Sequence, residues 1–301
     1  MDKASSQPAR FKYIRWLHLS GYVDKLADQI PDNSVIFYEI VDAKEAKLKH
    51  QQFMREISAN QNTYEQILSL PVDHLYKTEL SFQLAMALRQ KDKPVKNWVA
   101  VDEARVVATT HDNSKYVLEH NPILHPRVAA ELTEQLPDGF SRAVNLTLAQ
   151  LQATYMRDKL TVKQMLAHIP DDDDTTYVLI QGLTHHAGLM YAKQFPEIAY
   201  KRVAVPQESA NLLRLGNKLW TEYFIDKSVS PQTFVRYIGA FDAIGKAGKI
   251  DHRMNASAIQ GSTQELDQKV WEEIDSIINM SVEEIITRLS VDSEGDLTGK
   301  I

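Results

Sequence analysis

Four stretches of this chain carry imidazoles or carboxylates where an apolar run gives way to a turn. They are "RWLHLS" with His18, "SVIFYEIVD" with Glu39, "NWVAVDEARV" with Asp102 and Glu103, and "YVLIQGLTHHAGL" with His185 and His186. A charged group inside an apolar run is costly unless it is paired or liganded. Several such groups arriving at one edge offset that cost for one another. Imidazole and carboxylate together are ordinary ligands for zinc, manganese or ferrous iron. His18, Glu39 and one of His185/His186 make a candidate metal set, with coordination positions left open for water. Without a metal, Glu39 is the candidate general base, because a buried strand raises a carboxyl pKa. A histidine at a helix N-terminus is biased toward the neutral form by the helix dipole.

Each of these residues also has a plainer reading. A lone histidine at a strand end serves well as a hydrogen-bonded structural group. Glu39 faces solvent if its strand lies at a sheet edge. Adjacent residues at a helix start do not face the same way, so one of the doublet belongs to the site and the other to the surface or to a supporting layer. Asp102 and Glu103 point to opposite sides of a strand, so one is available for the site and the other for Arg105 or solvent.

The elements that must position these groups follow from hydrophobic periodicity. Strands are expected at 11–20, 34–42, 94–106, 175–182 and 199–206. Helical spacing is expected at 21–30, 42–57, 64–68, 73–89, 127–135, 141–157 and 184–194, with Ser209 capping the segment after it. "TVKQ" (161–164) has the form of a capping box opening a separate short helix. "PDDDD" (170–174) reads as a solvated turn. Strands alternating with helices imply parallel βαβ units. The expected fold is α/β, a parallel-rich sheet of about five or more strands flanked by helices, with a helical C-terminal extension. The expected organisation is a lead-in at 1–10, a single domain at 11–290 (core 11–225, extension 226–290) and a flexible tail at 291–301. In open parallel sheets, ligands bind outside the carboxyl ends of the strands, where all four stretches terminate.

"QGLTHHAGL" has the form Gly-x-x-His-x-x-Gly followed by an aliphatic residue, between a strand and a helix. It resembles the second glycine–histidine motif of the TraB, TIKI, ChaN and erythromycin-esterase-like superfamily. Gly182, His185, Gly188 and Leu189 take the matching positions, which selects His185 over His186. The front of the chain is similar in order: a strand ending in "RWLHLS", a helix, then a strand bearing a glutamate. His18 and Glu39 match that histidine and glutamate, and Arg15 occupies the place of the first motif's glycine. Asp102 or Glu103 resembles the acidic position on the third strand. The resemblance spans about residues 11–205. It implies a metal-dependent or glutamate- and histidine-assisted hydrolase of peptide or ester bonds. The alternative it implies is a non-catalytic protein of the same fold that binds haem or another small ligand, or a protein partner through the C-terminal helices.

Other classes find no support. The chain of 301 residues has no cysteine, which excludes thiolate zinc sites, disulfides and cysteine nucleophiles. A net charge of -6 with both signs dispersed argues against a nucleic-acid binder. No run approaches the ~20 apolar residues that span a bilayer, and the polar N-terminus lacks a signal-peptide pattern. A cytoplasmic location is therefore expected, with signal-independent export left open. "GAFDAIGKAGK" (239–249) has five residues between Gly239 and Gly245 and no Ser or Thr after Lys246, so it fails as a phosphate loop and reads as a turn between helices. No G-x-G-x-x-G follows the first strand, and no G-x-S-x-G is present. His111, His120 and His125 lie in a polar stretch that could cover a sheet edge. "VWEEIDSIINM" and "SVEEIITRL" carry apolar helical stripes, for packing or for self-association.

Overall fold

The computed structural model describes residues 10–39, 47–71, 80–101, 118–119, 121–169, 175–194, 199–254, 266–291 and 297–299. Asp102, Glu103, Arg105, His111, His120 and the aspartate run at 171–174 lie outside the described residues. By its contacts the chain divides into two compact units. The first takes the described residues up to 101 and those of 155–207. The second takes those of 118–154, 208–254 and 266–299.

The first unit is built on β1 (Arg10–Trp16), β2 (Ser34–Tyr38), β3 (Val95–Ala100), β4 (Thr176–Gly182) and β5 (Ala199–Val205). All five pair in parallel, in the order β3-β2-β4-β1-β5. The expected α/β fold and its five strands are present. Parallel strands need crossovers, and helices supply them: α1 (Val23–Asp28), α2 (Lys47–Ala59), α3 (Gln61–Ser69), α4 (Leu80–Gln90) and α7 (Ala187–Gln194), the last between β4 and β5.

Side chains alternate across the sheet. Phe11, Tyr13, Phe37, Tyr177 and Leu179 form one buried face, packed on Val162 and Met165 of a long helix and on Ala187 and Tyr191 of α7. Tyr38 and Trp98 belong to the opposite face, where Tyr38 meets His50 of α2 and His50 stacks on Phe82 of α4. Both faces are covered, which is why the strands read as near-continuous apolar runs. The chain leaves β2 toward β3 and leaves β4 toward β5, on opposite sides. A crevice opens at such a switch point, at the carboxyl ends of adjacent β2 and β4.

The long helix, α6 (Ser141–His168), differs from the expected pair of helices. No new helix starts at "TVKQ"; Thr161 is fully buried inside α6. Leu151, Asp158, Val162 and Met165 fall on one face at helical spacing and are all buried, so the stripe runs unbroken through the supposed boundary. Asp158 would ordinarily compete for local backbone donors. Its carboxylate is held by tertiary partners instead, and the helix continues.

In the second unit, α5 (Pro126–Glu134) and the first half of α6 are joined by α8 (Ala210–Thr221), a π-helical turn (Glu222–Asp226), α9 (Pro231–Met254), α10 (Gln268–Asn279) and α11 (Val282–Arg288). "GAFDAIGKAGK" is not a turn: it lies wholly inside α9. A Cβ on Gly239 would stand 3.0 Å from Ile285 and 3.1 Å from Ile277, so this glycine lets helices approach closely. The apolar stripe of α10, with Trp271, Ile274 and Ile277, is buried within the unit. Near the expected tail, Leu289–Val291 and Leu297–Gly299 pair as antiparallel strands β6 and β7. Among the described residues no helix is long and apolar enough to cross a membrane.

Candidate functional site

Because β4 lies between β2 and β1, the turn after β4 reaches the edge between Glu39 and His18. Glu39 stands one position beyond β2, and His18 two beyond β1. Strand β1 ends earlier than its sequence suggests: the Leu17 N–H still donates to the Val205 carbonyl at 2.9 Å, but Leu19 N–H turns back to the Leu17 carbonyl at 2.8 Å. That turn brings the His18 imidazole over Gly182. A Cβ on Gly182 would meet His18 Cε1 at 3.1 Å and Nε2 at 3.2 Å, so the first motif glycine makes room for the histidine. The second, Gly188, lets α7 settle on β1, because a Cβ there would lie 2.3 Å from the Tyr13 ring.

Glu39 is the centre of the site. Its Oε1 lies 2.7 Å from His185 Nε2 and 3.4 Å from the Arg157 guanidinium. Its Oε2 accepts the Gly182 N–H at 2.7 Å and lies 3.4 Å from His18 Nε2. A carboxylate has about four lone-pair positions, and four donors face this one. Its side chain is 4% exposed, so the alternative of a solvent-facing Glu39 does not hold.

His185 is held on both sides. Nδ1 lies 2.7 Å from Asp158 Oδ1, and Asp158 Oδ2 accepts the His186 N–H at 2.7 Å. Below it, Tyr13 donates its hydroxyl to the His185 carbonyl at 2.8 Å, and Gln181 Nε2 donates to Asp158 Oδ1 at 3.4 Å. Arg15, where the resembled motif has glycine, is buried and donates to the Leu183 carbonyl. The departure from the motif thus ties β1 to the turn that carries His185.

The electrostatics invert two expectations. Burial opposes ionisation of Glu39, but the His185 charge, hydrogen bonds from His18 and His185, and Arg157 outweigh it and hold the carboxyl well below its ordinary range. The expected raised pKa, suited to a general base, is not found. Burial likewise opposes a charge on His185, yet Glu39 and Asp158 raise its pKa to about 9 against the counter-effect of Arg157. The neutral imidazole expected at a helix start gives way to an imidazolium, because two carboxylates outweigh the dipole. Among the described residues, the carboxylates of Glu39 and Asp158 face the cationic side chains of His185 and Arg157.

His18, Glu39 and His185 therefore converge as expected. His186 does not lie at the surface: it is buried, and its backbone N–H braces Asp158. His125 packs edge-on against Tyr223 at 5.3 Å in the second unit. Sequence reasoning missed Arg157 and Asp158. The available signal was a carboxylate on the apolar stripe Leu151–Val162–Met165 of α6.

The donor set was expected to suit a transition metal. Among the described residues no group of three or more His, Asp or Glu is disposed to hold one. Both His185 nitrogens face carboxylates, and the lone pairs of Glu39 face donors. Beside Glu39 and His18 opens a small cleft of about 20 Å³, room for about one water. His18, one-third exposed, forms part of its wall.

No protein-family model, curated protein or solved structure matches this chain. Fold and site define a parallel α/β protein with a buried glutamate–histidine–aspartate network at the switch point of its sheet.

Proposed function

We propose that this chain is a hydrolase of ester or peptide bonds in its glutamate- and histidine-assisted form, a divergent relative of the superfamily its motifs resemble. The observation that carries the reading is the pairing of a fully buried, ionised Glu39 with the partly exposed His18 at the mouth of a cleft. An imidazole whose Nε2 faces a carboxylate has its Nδ1 on the far side of the ring. There it takes a proton from water as the water attacks a carbonyl, Glu39 stabilises the imidazolium that forms, and the same Nδ1 returns the proton to the leaving alcohol or amine as the C–O or C–N bond breaks. The 3.4 Å separation is compatible with a contact that tightens when substrate excludes water. His185 and Arg157 keep the carboxylate ionised and favour negative charge developing at the edge. His185 has both nitrogens engaged and acts through Glu39, so it is a positioning residue. Asp158 holds its orientation.

The test is hydrolysis of chromogenic esters by the purified protein, followed by His18→Ala and Glu39→Gln. Loss of about a hundredfold or more in kcat for both, with no transition metal found by elemental analysis, is expected. Turnover that depends on a stoichiometric metal, or that survives His18→Ala, overturns the reading.

A further inference from the structure

The cleft beside His18 measures about 20 Å³. To hold one water a site needs roughly 10–15 Å³ on the same measure, and two to four polar partners. The space therefore takes one water, and little more. Its polar partners come from three parts of the chain: His18 beyond β1, Glu39 beyond β2, and Ser81 on α4. His18 Nε2 is buried and faces Glu39 Oε2, which leaves Nδ1 as the ring nitrogen that a water can reach. Ser81 directs its Oγ to the Glu39 carbonyl at 3.4 Å. A hydroxyl that donates in this way still has lone pairs with which to accept. The rest of the wall, with Trp16, Trp98, Ile180 and Leu84, is ring and alkyl surface. The Trp98 Nε1 is committed elsewhere, donating to Ser58 Oγ at 2.8 Å. Protein interiors are close-packed, so such a wall yields little to one added methyl group.

We propose that this cleft is the site of the attacking water and that it restricts the acyl acceptor: acyl groups pass to water and not to alcohols. The assignment rests on the hydrolase reading for its chemistry, but the water site itself does not. The water donates one hydrogen to His18 Nδ1 and the other to Ser81 Oγ, and its lone pairs stay free for attack at the mouth. Two fixed acceptors orient the nucleophile before the carbonyl arrives, which lowers the entropic part of the barrier. The water oxygen bonds to the carbonyl carbon as one proton passes to Nδ1. The C–O bond of the ester then breaks, its electron pair goes to the alcohol oxygen, and Nδ1 returns the proton there. The acid keeps the oxygen of the water. An alcohol in the same place would press its alkyl group into the packed wall of Trp98 and Leu84.

Two measurements on the full chain test this. The first is a crystal structure of the ligand-free protein at a resolution that orders single waters. One water is expected within hydrogen-bond distance of His18 Nδ1 and Ser81 Oγ. The second is turnover of p-nitrophenyl acetate in water–methanol mixtures, with acetate and methyl acetate counted by proton NMR. The methyl acetate fraction should lie at least about tenfold below methanol's share of the solvent. Leu84→Ala cuts back the wall and should raise that fraction about tenfold. If that variant does not fold, Leu80→Ala, on the half-buried part of the wall, replaces it. An ordered water with no ester turned over defeats the hydrolase reading and leaves the water site standing. Turnover with no ordered water in the cleft, or with methyl acetate formed in proportion to methanol, overturns the assignment while the hydrolase reading survives.

Discussion

Glu39 faces four donors from three parts of the chain, and all but His18 are largely buried. Glu39→Gln leaves the Arg157 guanidinium and the His185 imidazole near a neutral amide whose nitrogen cannot accept. Removing one member of a buried charge pair costs about 3–5 kcal/mol, and a loss of that size is expected in urea denaturation. Asp158→Asn acts on His185 alone. It removes the second carboxylate that holds the imidazole protonated, so the His185 pKa falls from about 9 toward its ordinary value. Following the ring resonances by NMR across pH checks this; an unmoved titration would mean that Asp158 is only a packing residue. His18, Glu39 and His185 were legible in the sequence because each breaks an apolar run at a strand end. Asp158 was not, because it sits inside a helix, where an aspartate next to "KLTVKQ" looks like the local start of another element. Only its position on the α6 apolar stripe marks it, and that mark appears only if α6 is taken as continuous.

The same limit applies to glycines. A glycine in a sequence signals either a turn or a close approach, and only the neighbouring element decides which. Gly188, Gly239 and Gly245 all lie inside helices. An added Cβ at Gly188 would strike the Tyr13 ring at 2.3 Å, one at Gly239 would press on two isoleucines at 3.0 and 3.1 Å, and one at Gly245 would meet nothing within 4 Å. Gly188→Ala is therefore expected to cost about 1–3 kcal/mol or more by overpacking the sheet under the site. Gly245→Ala should instead stabilise α9 by about 0.5–1 kcal/mol, since alanine loses less backbone freedom in a helix. Denaturant midpoints of the two variants measured side by side give opposite signs. Equal effects would mean that the α7–β1 approach is looser than the geometry requires. Strands were the more legible elements: a sheet covered on both faces imposes unbroken apolar runs, and these end where the ladder ends. Helix joints were less so, because "TVKQ" and "GAFDAIGKAGK" satisfy local boundary rules that packing overrides.

At the scale of the molecule the buried network links stability to pH through two groups of opposite sign. His185 has a folded pKa near 9, above the ordinary histidine value of 6.5. Its contribution is complete below about 6.5 and is lost as pH rises through about 9. Glu39 has a folded pKa well below the ordinary 4.5, so its contribution is complete above that value and is lost as pH falls through the folded pKa. Both are fully present only between about pH 4.5 and 6.5, which places the stability maximum of the first unit on the acid side of neutrality. For His185 alone the change across the alkaline limb is about 3 kcal/mol. Urea unfolding from pH 5 to 10 should show that decline, and Glu39→Gln should flatten it, because the amide no longer favours the imidazolium. The two compact units give the measurement its internal reference. Tryptophans 16 and 98 report on the first unit and Trp220 and Trp271 on the second, so single-tryptophan variants resolve which transition carries the pH dependence. A decline carried by the second unit's probes alone would show that the alkaline loss arises outside the glutamate–histidine network, since none of its charged members belongs to that unit.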